Sequence, residues 1–107
     1  MQIIVQAACS RGPSLRDAIR QDPRLARFGL RLSEVKRKGR RSGWTKVHGA
    51  ERSLSGAANI EWHAASSVLL CRVVTRSTDP APLAGAFLTY LLSRYKKRVQ
   101  SVHVVYA

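Results

Sequence analysis

Residues 36–46 read KRKGRRSGWTK. Six of these eleven positions are Lys or Arg, none is acidic, and two glycines and a tryptophan complete the stretch. Guanidinium forks match phosphate oxygens in bidentate geometry, and ammonium groups add point charge. A two-stranded ribbon with such residues at its turn can enter a major groove and follow phosphates. Trp44 beside the turn offers a flat face for an unpaired base, although a lone tryptophan is more often a packing residue. The candidate contacts are therefore Arg37, Lys38, Arg40, Arg41, Trp44 and Lys46. Arg16 and Arg20 are secondary candidates. With Arg24 and Arg27 they recur three or four residues apart, the spacing that lines one side of a helix.

The charge of the whole chain supports this chemistry. Its 107 residues carry nineteen Lys and Arg against six Asp and Glu, a formal net charge of +13. Residues 11–52 hold thirteen of those cations and four carboxylates, a local balance of +9. Such a charge speaks to partners and not to fold. Nucleic acid is the commonest partner of so basic a domain, and anionic membrane and acidic protein surfaces come next.

Readings as an enzyme are weaker. Glu34 and Lys36 flank Val35, so on a strand they share a face, as in metal-dependent nucleases of the PD-(D/E)xK kind. The carboxylate would bind Mg²⁺ and the lysine would help position water. A second acidic ligand must come from Asp17 or Asp22, and both are better placed as helix-start residues. His48, His63 and His103 fall in separate predicted strands. Glu61 and His63 share an outward face, a carboxylate–imidazole pair without a nucleophile. Neither a nucleophile elbow nor a glycine-rich phosphate loop occurs. Cys9 and Cys71 are not spaced as metal ligands, and Cys71 lies in an apolar run, where it reads as a small buried hydrophobe. No catalytic residue, metal or cofactor is assigned.

One domain over residues 1–107 must position these groups. Alternation and β-branched residues predict strands over 2–7, 30–38, 43–48, 59–64, 68–76 and 99–106. The run 68–76 reads as a central strand apolar on both faces. Ser14 with Asp17 predicts a helix from 14 to about 21. Asp22-Pro23 predicts a second helical start, with Asp22 as cap. Leu83, Phe87, Tyr90 and Leu91 predict an amphipathic helix over 82–98, and its basic last turn reads as ordinary dipole complementation. The order β-α-β-β-β-β-α-β implies an α+β fold: a single mixed sheet, both helices on one face, a ferredoxin-like variant with an added hairpin. Its core is expected in the last three strands. No apolar run approaches the ~18 residues that span a bilayer, and the start of the chain lacks a charged leader region. A cytoplasmic protein without a membrane role is expected. The last strand, apolar and uncharged apart from His103, would allow a homodimer if it lay at a sheet edge. The sequence thus reads as a small basic domain that binds nucleic acid without catalysis. The alternative is an adaptor or inhibitor of an acidic protein.

Overall fold

The computed structural model describes residues 1–33 and 45–106. Strands β1 (Gln2–Cys9), β2 (Leu30–Leu32), β3 (Thr45–Gly49), β4 (Ala57–His63), β5 (Val68–Val74) and β6 (Val99–Tyr106) form one sheet in the order β2-β3-β4-β5-β1-β6. Helices α1 (Leu15–Arg20) and α2 (Ala81–Arg94) lie in the two crossovers. A 3₁₀ helix, Pro23–Phe28, follows α1.

The fold is α+β, and β6-β1-β5-β4 with the two helices follows the expected ferredoxin-like pattern. The β2–β3 pair is added beyond β4. In one respect the sheet differs from expectation: all five ladders among the described residues are antiparallel, where a mixed sheet was expected. The physical reason lies in the crossovers. Each joins two strands of like direction, β1 to β2 and β5 to β6, but other strands are inserted between them. Like-directed strands therefore never become neighbours.

Local capping chemistry starts the helices where the sequence places them. Ser14 Oγ accepts the Asp17 N–H at 3.2 Å, and Asp22 Oδ1 accepts the Arg24 N–H at 3.0 Å. Pro23 supplies the fixed φ of a first helical position. Gly29 ends that turn in the left-handed region, at φ 72°, which favours a residue without Cβ. Helix α2 ends at Arg94, four residues earlier than the charge pattern suggests. The chain turns there through Arg98 N–H and Val99 N–H, both donating to the Tyr95 carbonyl.

Both helices cover the same face of the sheet. Ile3, Val5, Ala7, Val47, Ala58, Ile60, Leu69, Cys71 and Val73 face them, and Leu15, Ile19, Leu83, Phe87, Tyr90 and Leu91 close the core. The core thus spans β1, β3, β4 and β5, and does not rest on the last three strands. Strand β6 contributes only the partly buried Val99 and Val102. Strand β5 is central as expected, but its second face is not buried: Arg72 and Val74 are exposed on it. An α+β sheet with one helical layer leaves its other face to solvent. Among the described residues, no helix is long and apolar enough to cross a membrane.

Candidate nucleic-acid interface

Strand alternation fixes which cations reach the uncovered face. Val47 and Thr45 are buried toward the helices, so Lys46 and His48 point the other way. By the same rule Arg31, between Leu30 and Leu32, and Arg72, between Cys71 and Val73, share that open face. The register aligns them in two cross-strand rows. One runs Arg31, His48, Ala57, Val74. The next runs Lys46, Asn59, Arg72, Ile4. Glu61 is a carboxylate on this face, and it lies 3.6 Å from its neighbour His63, as the sequence spacing suggests. Among the described residues neither Arg31, Arg72 nor Arg76 forms an ion pair.

A groove of about 610 Å³ opens on this face where β3 and β4 meet the turn after β5. Lys46, His48, Asn59 and Arg76 line it, with hydroxyls from Ser55, Ser77 and Thr78. Its wall depends on Gly56, at φ 118°: a Cβ there would lie 2.8 Å from the Val74 carbonyl oxygen. Thr75 Oγ1 donates to the Thr78 carbonyl, and the Ser55 and Thr78 hydroxyls are 3.1 Å apart, which fixes the turn. Partial burial is the main force disfavouring a charged His48. A backbone hydrogen bond to Gly56 opposes it, and the Lys46 and Arg31 charges reinforce it. The imidazole therefore titrates below its ordinary value and is neutral at neutral pH.

Other cations are held within the fold. The Asp22 carboxylate, only 4 % exposed, accepts three further hydrogen bonds at Oδ2: from Tyr90 Oη at 2.8 Å, Arg94 Nε at 3.1 Å and Tyr95 Oη at 3.3 Å. Burial opposes its ionisation, but the Arg24 N–H, Tyr90 and Arg94 outweigh that and hold the carboxyl below its usual range. Its own burial, and then its hydrogen bonds with Tyr95 and Asp22, push Tyr90 up. Arg98 Nε donates to Ser10 Oγ at 3.3 Å, and its Nη2 donates to the Ser10 and Pro13 carbonyls at 3.1 and 3.0 Å. Its guanidinium carbon lies 6.0 Å from the centre of the Trp62 ring. Arg94 and Arg98 are thus structural ties. Of the C-terminal basic cluster, Lys96 and Lys97 remain exposed.

The sequence candidates divide accordingly. Arg37, Lys38, Arg40, Arg41 and Trp44 lie outside the described residues, as do Glu34 and Lys36 of the nuclease reading. The chain leaves at Ser33 beside β3, where the Ser33 N–H donates to the Lys46 carbonyl, and returns at Thr45. Ser33 and Thr45, the described residues that flank the basic segment, are therefore both beside Lys46. Arg16 and Arg20 belong to α1, on the helical side, whereas Lys46 is on the open side, so these three do not share a face. Arg16 also lies 3.4 Å from Asp17. Sequence reasoning missed Arg31, Arg72 and Arg76. The signal was present for two of them: each is a cation between two apolar residues of a strand.

Both thiols are buried, and burial raises each above its ordinary value, Cys9 against the lowering effect of Arg98. Among the described residues no three His, Cys, Asp or Glu side chains cluster as metal ligands. Comparison with protein-family models, with curated proteins and with solved structures found no match.

Proposed function

We propose that this protein binds nucleic acid without catalysis, through the uncovered sheet face and the basic residues of the segment 34–44. The observation that carries this reading is the convergence of Arg31, Lys46, Arg72 and Arg76 on one open face, where, among the described strand residues, Glu61 is the one carboxylate and already lies beside a histidine. The sequence between β2 and β3 adds five cations and one carboxylate over residues 34–44. Phosphates supply sequence-independent affinity to such a surface, and displaced counterions make that affinity fall with salt. Fluorescence anisotropy of labelled single- and double-stranded DNA and RNA, at low and moderate salt, tests it. Binding that weakens steeply with salt is expected. Absence of binding to all four at low salt overturns the reading. Retention of an acidic protein under those conditions, after nuclease treatment, favours the adaptor alternative.

A second copy of this chain is the partner we infer for β6. Among the described residues that strand pairs only with β1, which leaves its other edge open to them. Val104 is 49 % exposed, Val105 50 % and Tyr106 73 %, and none of its eight residues is Lys or Arg. Natural edge strands are commonly protected by charge, lysine above all. On a molecule of net charge +13, an edge free of Lys and Arg is where two copies repel least. Antiparallel pairing about a two-fold axis is self-complementary. Sedimentation should show a dimer that Val104→Lys with Val105→Lys makes monomeric. A monomeric parent at high concentration overturns this.

A further inference from the structure

Resting on the nucleic-acid reading, we propose that the groove between β3, β4 and the turn after β5 seats one phosphate group of the bound strand, between Lys46 and Arg76 and against His48. Four observations on the open face converge there. Lys46 and Arg76 line the groove from opposite sides, one from β3 and one from beyond β5. Asn59, Ser55, Ser77 and Thr78 add hydrogen-bonding groups suited to phosphate oxygens or a sugar. Among the described residues no Asp or Glu lines it. The volume, about 610 Å³, falls within the ordinary range of small-molecule sites, about 300–1,000 Å³, and so admits a nucleotide unit.

His48 makes the site readable. The groups that act on its imidazole are Lys46 on its own strand, Arg31 on β2 and the backbone of Gly56 before β4, with Arg76 across the groove. Among the described residues no carboxylate is one of them. An anion seated between Lys46 and Arg76 offsets the cations that disfavour the imidazolium and adds an acceptor for it. Binding therefore takes up a proton at His48, and acidification through its titration range tightens binding by the same linkage.

The test is an NMR pH titration of the three histidines, with inorganic phosphate and with sodium chloride at matched ionic strength. The chloride control is needed because salt alone screens Lys46 and Arg31. Phosphate should raise the His48 midpoint by at least ~0.5 pH unit beyond chloride, with His63 and His103 unmoved. Arg76→Ser and Lys46→Ser, both surface changes, should each shrink that difference. Equal midpoints in phosphate and chloride overturn the proposal. So does an equal shift at all three histidines. A ten-residue thymidine oligonucleotide, followed by anisotropy and by the same resonances, separates the two readings. If it binds while His48 stays unmoved, the phosphate seat is wrong and the nucleic-acid reading stands. If phosphate moves His48 and no nucleic acid binds, the groove serves free phosphate and the nucleic-acid reading falls.

Discussion

Arginines on the two sides of this sheet meet different fates. On the helical side Arg94 and Arg98 are drawn into contacts more than seventy residues away in sequence: Arg94 with Asp22, Arg98 with Ser10 and Pro13. On the uncovered side Arg31, Arg72 and Arg76 have no carboxylate partner among the described residues. The side chains are chemically alike, and the layer beside them decides their role. A helix terminus offers carbonyls and a buried carboxylate to satisfy a guanidinium. On the bare sheet face the described neighbours of these arginines are mainly other cations, the setting that the proposed polyanion would complete. Net charge alone cannot make this distinction, which is why a count of +13 overstates the surface open to a polyanion.

The contrast can be broken most forcefully at Asp22. Asp22→Ala removes a cap and leaves Tyr90, Tyr95 and Arg94 without their shared acceptor. Arg94, about a third exposed, can rehydrate, so the cost should be about 2–4 kcal/mol. Thermal unfolding should shift down by roughly 10–20 °C. A change of a degree or two would mean that the tie between the 3₁₀ turn and α2 is dispensable. Arg98→Ala comes next. Loss of its bonds to Ser10 and Pro13 should cost about 1–2 kcal/mol in chemical denaturation, since the freed carbonyls are close to water.

A smaller effect follows from pH. The Asp22 carboxyl has a depressed value in the folded protein, so its contribution is present above the unfolded value of 3.8 and is lost as pH falls through the folded one. Stability should therefore decline below about pH 4, and Asp22→Asn should lose this part of the decline while being less stable at neutral pH. Acid unfolding curves of the two proteins check the sign. The smallest stability effect is expected on the open face. Arg31→Ser, Arg72→Ser and Arg76→Ser should each stay within ~0.5 kcal/mol of the parent. Unfolding by any of them would make the open face structural and erase the comparison.

Much of the fold was legible because its signals are local. Ser14 and Asp22 announce helix starts within three residues, and Pro23 and Gly29 punctuate the turn between them. What was not legible depends on pairing across the chain. The place of β6 at an edge is set by β1 lying between it and β5, so an apolar strand that looked like core is half-exposed. The reading of residues 68–76 as apolar on both faces failed for a related reason: with one helical layer, Arg72 needs no burial. The role of Arg98 is equally hidden, since Ser10 and Pro13 are distant in sequence. On the functional side, Lys46 was found from its segment, whereas Arg31 and Arg72 were overlooked because they stand singly. Only the strand register gathers them, and the Gly56 wall and Arg76 turn are likewise non-local.

The central claim is that cations of the open face, and not basic charge in general, hold the nucleic acid. The most direct measurement is the slope of binding affinity against salt, by anisotropy with one single-stranded oligonucleotide. It compares the parent with Lys46→Ser/Arg72→Ser and with Lys96→Ser/Lys97→Ser, two variants of equal charge. Each lost phosphate contact should lower the slope by about 0.7, so the open-face pair should flatten it by about 1.4 and the helix-end pair should leave it nearly unchanged. Equal flattening by both pairs, or a slope altered only by the helix-end pair, would contradict the account.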